Sequence, residues 1–180
     1  MSNKKDTEDG VWRTVGGRRI FIRNGVDLPT AMRESGKFDN VIKETPSRKY
    51  NSDVSFICKI RGIYEIEKEY GKLKNHDVVL TDERKQHILL RRGKKDYEVI
   101  MKNLSKTLKD YDYVYDDSRG SSKGVCYVKK LSDKRYCAIM TSLSLKKENQ
   151  ANSNITGILF NNENYKRYAK NRKMIAKRNK

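Results

Sequence analysis

Residues 96–110 carry apolar side chains at intervals of three and four, the period at which one face of an α-helix packs against a core. The preceding segment, 81–92, begins with Thr81, a suitable N-cap residue. Acidic residues follow in its first turn, where they are favoured by the helix dipole. Gly93 stands between the two segments. The pattern therefore predicts two consecutive helices with a break at Gly93.

After Asp110 the hydrophobic period changes to two, which is typical of strands. Four such runs follow one another, at 111–115, 125–131, 135–145 and 155–160. Short connections between consecutive strands favour antiparallel neighbours. We expect an α+β fold in which two helices pack on one face of a four-stranded antiparallel sheet and the other face stays open.

The start of the chain has a different pattern. Residues 1–10 are polar and charged, and we expect them to be disordered. Two β-forming runs within 11–22 flank Gly16-Gly17, which predicts a hairpin, and Pro29 then opens a short helix. These elements indicate a small ββα docking unit over residues 11–38.

Residues 39–53 lack periodicity and form either a linker or a surface loop of one continuous domain. A larger domain is expected over 54–180, including the basic C-terminal segment. Its first run, 54–67, is compatible with a strand or a short helix. The short apolar run 77–80 leads directly into the helix at Thr81.

The charge of the chain indicates the kind of partner that it binds. The formal net charge is +18, and residues 54–180 hold 30 Lys/Arg against 15 Asp/Glu, whereas residues 1–53 hold 11 against 8. A field of this sign favours a polyanion, and nucleic acid is the first candidate. An anionic membrane surface is the weaker alternative, because no long basic stretch has a clean apolar face.

The cysteines and the hydropathy exclude several classes of protein. Three widely spaced cysteines, with no C-x-x-C pair, indicate buried thiols and no disulfide framework or zinc site. No run approaches the roughly 18 apolar residues of a membrane span, and the first thirty residues lack the apolar segment of a secretory signal. We therefore expect a cytoplasmic protein.

A specific pattern surrounds His87. The chain resembles the phage-associated nucleases of the barnase, EndoU, colicin-tRNase and RelE-like superfold. The resemblance lies in the run from Asp77 to Arg84, in His87-Ile88 and Arg91, and in the helix, the strand meander and the late Ile155-Thr156 that follow. These are small metal-independent ribonuclease domains, found as toxins or as C-terminal modules of phage minor head proteins. The resemblance covers roughly residues 75–178.

One further resemblance and two departures from the nuclease pattern concern single segments. The N-terminal run from Trp12 to Ile22, with the following 35–38, resembles a segment near the C-termini of phage minor capsid proteins. The chain departs from the nuclease pattern at Arg92, where members often carry a second histidine. It departs again at Ala176-Lys177, where an aromatic or polar residue usually precedes the lysine.

The resemblance implies a catalytic site made of His87, Arg91, Thr156 and Lys177, without metal or cofactor. His87 would act as the general base, and Arg91 with Thr156 would bind the scissile phosphate. Each residue also has a structural interpretation. His87 can lie at a helix–sheet boundary, Arg91 at a solvated helix end and Thr156 in the strand as an ordinary β-former, while Lys177 can be a nonspecific polyanion contact.

Other residues are candidates for RNA contacts. The expected nucleic-acid-binding residues are Arg84, Arg92, Lys94, Lys95, Arg172, Lys173 and Arg178. Possible stacking surfaces for bases, or alternatively core residues, are Tyr111, Tyr113, Tyr115 and Tyr127. His76 precedes a strand and is expected to be an exposed loop residue.

The first hypothesis is therefore a ribonuclease of a phage or mobile element, acting as a toxin or effector on tRNA or another structured RNA. It would work in the bacterial cytoplasm or in association with a virion. An acidic antitoxin or immunity protein, or a phage head protein, is a possible partner. The alternatives are a non-catalytic nucleic-acid-binding or head-associated module, and an interaction protein that engages an acidic partner.

Overall fold

The computed structural model describes residues 10–15, 18–23, 46–146 and 150–178 and divides the chain into two compact units, 1–43 and 44–180. In the first unit, β1 (Gly10–Val15) and β2 (Arg18–Arg23) form an antiparallel pair in which Gly10 lies opposite Arg23. This pair corresponds to the predicted hairpin. Of the disorder predicted over 1–10, only Gly10 is described, and it begins β1; residues 1–9 and the helix predicted after Pro29 lie outside the described residues.

The second unit is an α+β arrangement, and its elements follow one another along the chain. They are β3 (Val54–Lys59), α1 (Ile63–Tyr70), β4 (Asp77–Thr81), α2 (Asp82–Lys109), β5 (Tyr113–Asp116), β6 (Gly124–Lys130), β7 (Tyr136–Ser142), β8 (Asn152–Phe160), α3 (Asn162–Lys170) and β9 (Met174–Lys177). The ambiguous run 54–67 therefore contains both a strand and the start of a helix. None of the helices in the described residues has the length and apolar character to cross a membrane.

The strands of the second unit form one mixed sheet in the order β3-β4-β8-β7-β6-β5-β9. The predicted meander β5 to β8 is present, but the prediction of a four-stranded antiparallel sheet was wrong. β3 and β4 extend the sheet beyond β8, with β4 and β8 parallel, and β9 pairs with β5 at the other edge. These added strands have four to six residues, which is too few for a period to be distinctive.

Helix α2 agrees closely with the sequence prediction. The Thr81 side chain accepts a hydrogen bond from the backbone N–H of Arg84, at 3.3 Å, and so caps the first turn. Gly93 has φ 74° and ψ 165°, a conformation that glycine adopts at little cost, and it divides α2 into two helical halves. The second half ends at Lys109, with Ile100 and Leu104 buried against the sheet.

The two faces of the sheet are covered by different helices, so the predicted open face is wrong. α2 packs over β3, β7 and β8 on one face, where Ile100 approaches Gly157. On the other face Tyr165 of α3 joins a cluster with Tyr115, Tyr136 and Met140, and its ring stacks on Tyr136 at a centroid distance of 3.9 Å. The sequence analysis did not predict the apolar face of α3, because most residues of this helix are polar or charged.

A buried carboxylate attaches residues 46–50 to this sheet. Asp77 is fully buried at the start of β4, and its carboxylate accepts hydrogen bonds from the Ser47 amide at 2.7 Å and from the Tyr50 hydroxyl at 2.5 Å. It also forms an ion pair with the buried Lys59 of β3. This part of the expected linker is therefore a surface loop held to the domain, which is one of the two alternatives that the sequence left open.

We expect Asp77→Asn to destabilise the fold and to flatten its acid sensitivity. Burial by itself would raise the pKa of Asp77, but the hydrogen bonds from Lys59, Tyr50 and Ser47 outweigh it and lower the pKa. A carboxyl with a lowered folded pKa contributes stability above its unfolded pKa, about 4, and loses it as the pH falls through the folded value. Losing the carboxylate also breaks the buried ion pair with Lys59, and breaking such a pair typically costs about 3–5 kcal/mol.

Denaturant unfolding at pH 7 and pH 3 measures both effects. The Asp77→Asn variant should lose less unfolding free energy between the two pH values than the unmodified protein does. The exposed carboxyl of Asp53 supplies the control, and Asp53→Asn should change stability by less than about 0.5 kcal/mol. An equal pH dependence in the Asp77→Asn variant and the unmodified protein would show that the Asp77 network is not ionised as described.

The three cysteines are free and buried, as the sequence predicted. Burial raises the pKa of Cys58 and Cys126 to about 12 and that of Cys137 to about 11. Since the thiolate is the reactive form, none of them should react with a disulfide reagent at pH 8 in the folded protein. Three thiols should appear in denaturant, and one that reacts rapidly in the native state would contradict this burial.

Candidate functional site

His87 lies in the first half of α2, next to the fully buried Ile88 that holds this part of the helix against the domain. Its side chain is partly exposed. Within the part of the chain that the structure describes, the imidazole has no hydrogen-bond or ion-pair partner. An imidazole has two ring nitrogens that can donate or accept a proton, so His87 is a candidate for contact with a ligand.

Two arginines share the helix surface with His87. Arg84 precedes it by three residues and Arg91 follows it by four, so the three side chains project from neighbouring positions. Neither arginine forms a salt bridge with an acid of the described residues, and Arg91 is exposed. Lys94 and Lys95, just beyond Gly93, are exposed as well. The imidazole thus has two arginines beside it that form no salt bridge with the described residues, and Glu83, four residues before it, is the nearest acid on the same helix.

Arg92 connects this helix to the sheet. Its Nε donates a hydrogen bond to the backbone carbonyl oxygen of Gly157 in β8, at 3.1 Å. Gly157 is the residue after Thr156. The bond therefore brings the C-terminal end of the first half of α2 close to the backbone beside Thr156. The Arg92 side chain is engaged in this contact and is only partly exposed.

The Thr156 side chain points away from α2. A Cβ at Gly157 would lie 2.5 Å from Cγ2 of Ile100 in α2, so position 157 faces that helix. Neighbouring residues of a strand face opposite sides of the sheet. Thr156 consequently shares the α3 face with Ile158 and Phe160, which pack against the α3 cluster.

Lys177 lies at the far edge of the sheet. It is in β9, opposite Tyr113 of β5, and its Nζ is 6.0 Å from the centroid of the Tyr113 ring. Three strands separate β9 from β8. At the usual strand spacing, Lys177 and Thr156 are about 19 Å apart across the sheet. The structure does not bring these two expected site residues together.

Three other cations of the C-terminal segment are engaged within the protein. Arg172 pairs with the buried Asp117 at 3.2 Å, Lys173 with Glu69 at 2.6 Å and Arg178 with Asp110 at 3.1 Å. Burial raises the pKa of Asp117 despite the nearby arginines Arg119 and Arg172. The segment is thus an integral helix and strand of the domain, and part of its charge is neutralised internally.

The expected row of tyrosines is divided between the two faces. Tyr113 and Tyr115 pack on the α3 face, where the Tyr115 hydroxyl lies 2.9 Å from that of Tyr165. Tyr111 is buried on the α2 face, edge-on to Tyr127. The core interpretation therefore applies to Tyr111, Tyr115 and Tyr127. Tyr113 is partly exposed.

The second histidine is less exposed than predicted. The His76 side chain is 43% exposed, and its Nε2 lies 3.9 Å from Oε1 of Glu67 in α1. Burial lowers the pKa of His76, although the carboxylate of Glu67 acts in the opposite direction. His76 therefore belongs to the junction between α1 and β4.

The sequence analysis did not single out a second basic surface, which we name the lysine groove. It lies between the second half of α2 and the β6–β7 turn, and its lining includes the exposed Lys102 and Lys106 of α2 together with Asp133 and Arg135 of the turn. The available signal was the spacing of Lys102 and Lys106 by four residues on a helix face that the core does not use.

The described residues contain no group of three or more His, Cys, Asp or Glu side chains arranged to hold a metal ion. Comparisons of the chain with family models, with curated proteins and with solved structures find no match. The candidate site therefore rests on its own geometry. His87 lies on α2 with Arg84 and Arg91 beside it, none of the three forms an ion pair with the described residues, and Arg92 bonds to the strand that carries Thr156.

Proposed function

We propose that the chain is a metal-independent ribonuclease that cleaves RNA by attack of the ribose 2'-hydroxyl on the adjacent phosphate. The observation that supports this most is the partly exposed imidazole of His87, which has no partner among the described residues and lies beside Arg84 and Arg91. A histidine in that environment is suited to proton transfer next to an anionic substrate.

In this proposal the neutral imidazole of His87 takes the proton of the 2'-hydroxyl, and the 2'-oxygen forms a new bond to phosphorus. The bond from phosphorus to the 5'-oxygen then breaks, leaving a cyclic phosphate and a 5'-hydroxyl that takes a proton from solvent. Arg91, on the same helix face, would stabilise the charge that builds on the phosphate oxygens.

Thr156 and Lys177 enter the proposal less directly. The bond from Arg92 to Gly157 lies beside the backbone of Thr156, but the Thr156 side chain faces the α3 side of the sheet, so we propose for it no contact with the scissile phosphate. Lys177 lies about 19 Å farther along the sheet, and a role in holding a more distant part of the RNA suits it better than a step in the chemistry.

A non-catalytic nucleic-acid-binding module is the second candidate. The separation of Thr156 and Lys177 favours it, since it leaves His87 with cations from its own helix as its nearest expected partners. Such a module would bind RNA and DNA alike, with strong salt dependence and without cleavage.

Incubation of total cellular RNA with the protein in EDTA, followed by sequencing of the ends, distinguishes the two functions. Under the ribonuclease proposal, cleavage persists in EDTA and leaves cyclic phosphate ends. His87→Ala should lower the rate at least about a hundredfold, because a positioned imidazole contributes about 10² to 10⁴. RNA binding should stay within about threefold of that of the unmodified protein.

His76→Ala is the matched control, since it removes the other histidine of the chain and should retain most of the cleavage rate. Cleavage that EDTA abolishes, or an unchanged rate in His87→Ala, would contradict the proposed mechanism. Absence of cleavage together with salt-dependent binding of RNA and DNA would support the second candidate.

A further inference from the structure

Helix α2 is divided at Gly93, so its second half does not simply continue the first half, residues 82–92. The backbone of Gly93 leaves the helical conformation, with φ 74° and ψ 165°. A side chain at this position would meet no atom within 4 Å, so the glycine serves the backbone conformation and not a close contact. The orientation of the first half therefore depends on its contacts with the rest of the domain.

Both halves of α2 meet the sheet at Gly157 of β8. Ile100, in the second half, packs so closely over this residue that a Cβ there would lie 2.5 Å from the Ile100 Cγ2. Arg92, at the end of the first half, donates a hydrogen bond from Nε to the Gly157 carbonyl oxygen at 3.1 Å. One residue of the strand therefore contacts the helix on both sides of its break.

The last turn of the first half, residues 89–92, is largely open to solvent. Leu90 is 85% exposed and Arg91 is exposed, whereas Leu89 and Arg92 are partly buried. The carbonyl groups at the end of a helix lack partners within it, so such a turn opens readily unless other contacts hold it. Within the described part of the chain, the bond from Arg92 is the side-chain hydrogen bond that ties this turn to the sheet.

We propose that Arg92 is a positioning residue, which holds the last turn of the first half of α2 on β8 and so keeps Arg91 in place beside His87. Arg92 then acts through a hydrogen bond within the protein, and not as the RNA contact that the sequence predicts. In the proposed function Arg91 and His87 act on the same phosphate group. The effect of Arg92 on cleavage rests on that proposed function, whereas its effect on the order of the turn does not.

Two neutral substitutions of Arg92 differ in the hydrogen-bond donor on which the inference depends. The Nε2 of glutamine stands at the same place along the side chain as the Nε of arginine, whereas methionine has a methyl group there. Arg92→Gln therefore keeps an N–H donor for the Gly157 carbonyl, and Arg92→Met removes it at a similar side-chain length. Both variants lose the positive charge, so a difference between them reports the hydrogen bond.

Backbone hydrogen exchange, followed by NMR, measures the order of this turn without any RNA. Arg92→Met should raise the exchange rates of the amides of residues 89–92 at least about tenfold, because the turn loses a hydrogen bond from a charged group. Arg92→Gln should keep these rates within about threefold of those of the unmodified protein. Amides around Ile100 should be unchanged in both variants, which also shows that the variants are folded. Exchange no faster in Arg92→Met than in Arg92→Gln would overturn the inference.

Cleavage in EDTA at saturating RNA gives the second readout. Arg92→Met should lower kcat at least about tenfold, because groups that act on one phosphate are sensitive to small displacements, and Arg92→Gln should recover most of this loss. The Kd for a 2'-O-methylated RNA, which the proposed chemistry cannot cleave, should be the same in the two variants because their charge is the same.

An RNA-binding role for Arg92 gives a different result. Both neutral variants would then lose affinity and kcat alike, and Arg92→Lys would retain them, an outcome that overturns the inference. If the protein cleaves no RNA, the exchange rates still show whether Arg92 holds the turn. Failure of the proposed function is therefore distinguishable from failure of this inference.

Discussion

The buried carboxylate of Asp77 is the constraint that holds the second unit together. Its oxygens accept hydrogen bonds from Ser47 and Tyr50, and it neutralises Lys59 of the neighbouring strand. Its backbone carbonyl accepts a hydrogen bond from Asn152 Nδ2 at 3.0 Å. One residue thus joins the preceding loop, β3, β4 and β8. Charges buried this deeply are tolerated only when each is paired and hydrogen-bonded, so the carboxylate of Asp77 depends on its contacts with the loop and with β3.

Local features of the fold were predictable from the sequence, whereas the long-range junction at Asp77 was not. The break at Gly93, the N-cap at Thr81 and the run of strands 111–160 follow from local preferences and from the change of hydrophobic period, and all are present. The parallel pairing of β4 with β8 depends on Asn152 and Asp77, which are about 75 residues apart in the chain. No local pattern encodes such a contact, and a buried asparagine has the composition of a loop residue.

The candidate site was predictable in its residue types and less so in its arrangement. The position of His87 between Arg84 and Arg91 on α2 follows from helical spacing, and the excess of positive charge follows from composition. Which cations remain available depends on tertiary pairing. Arg172 is neutralised by Asp117, a residue of a distant loop, whereas Lys102 and Lys106 have no such partner in the described structure. Charge counts alone do not distinguish these two situations.

The central claim is that His87 activates a ribose hydroxyl for attack on the neighbouring phosphate. It is tested most directly with an oligonucleotide that contains one unmodified ribose in an otherwise 2'-O-methylated strand, incubated in EDTA and analysed by mass spectrometry. The account predicts a single cut after that ribose, a 2',3'-cyclic phosphate on the upstream product, and a rate at least about a hundredfold lower with His87→Ala. Cleavage at a methylated position, or the same product formed at the same rate by His87→Ala, would contradict it.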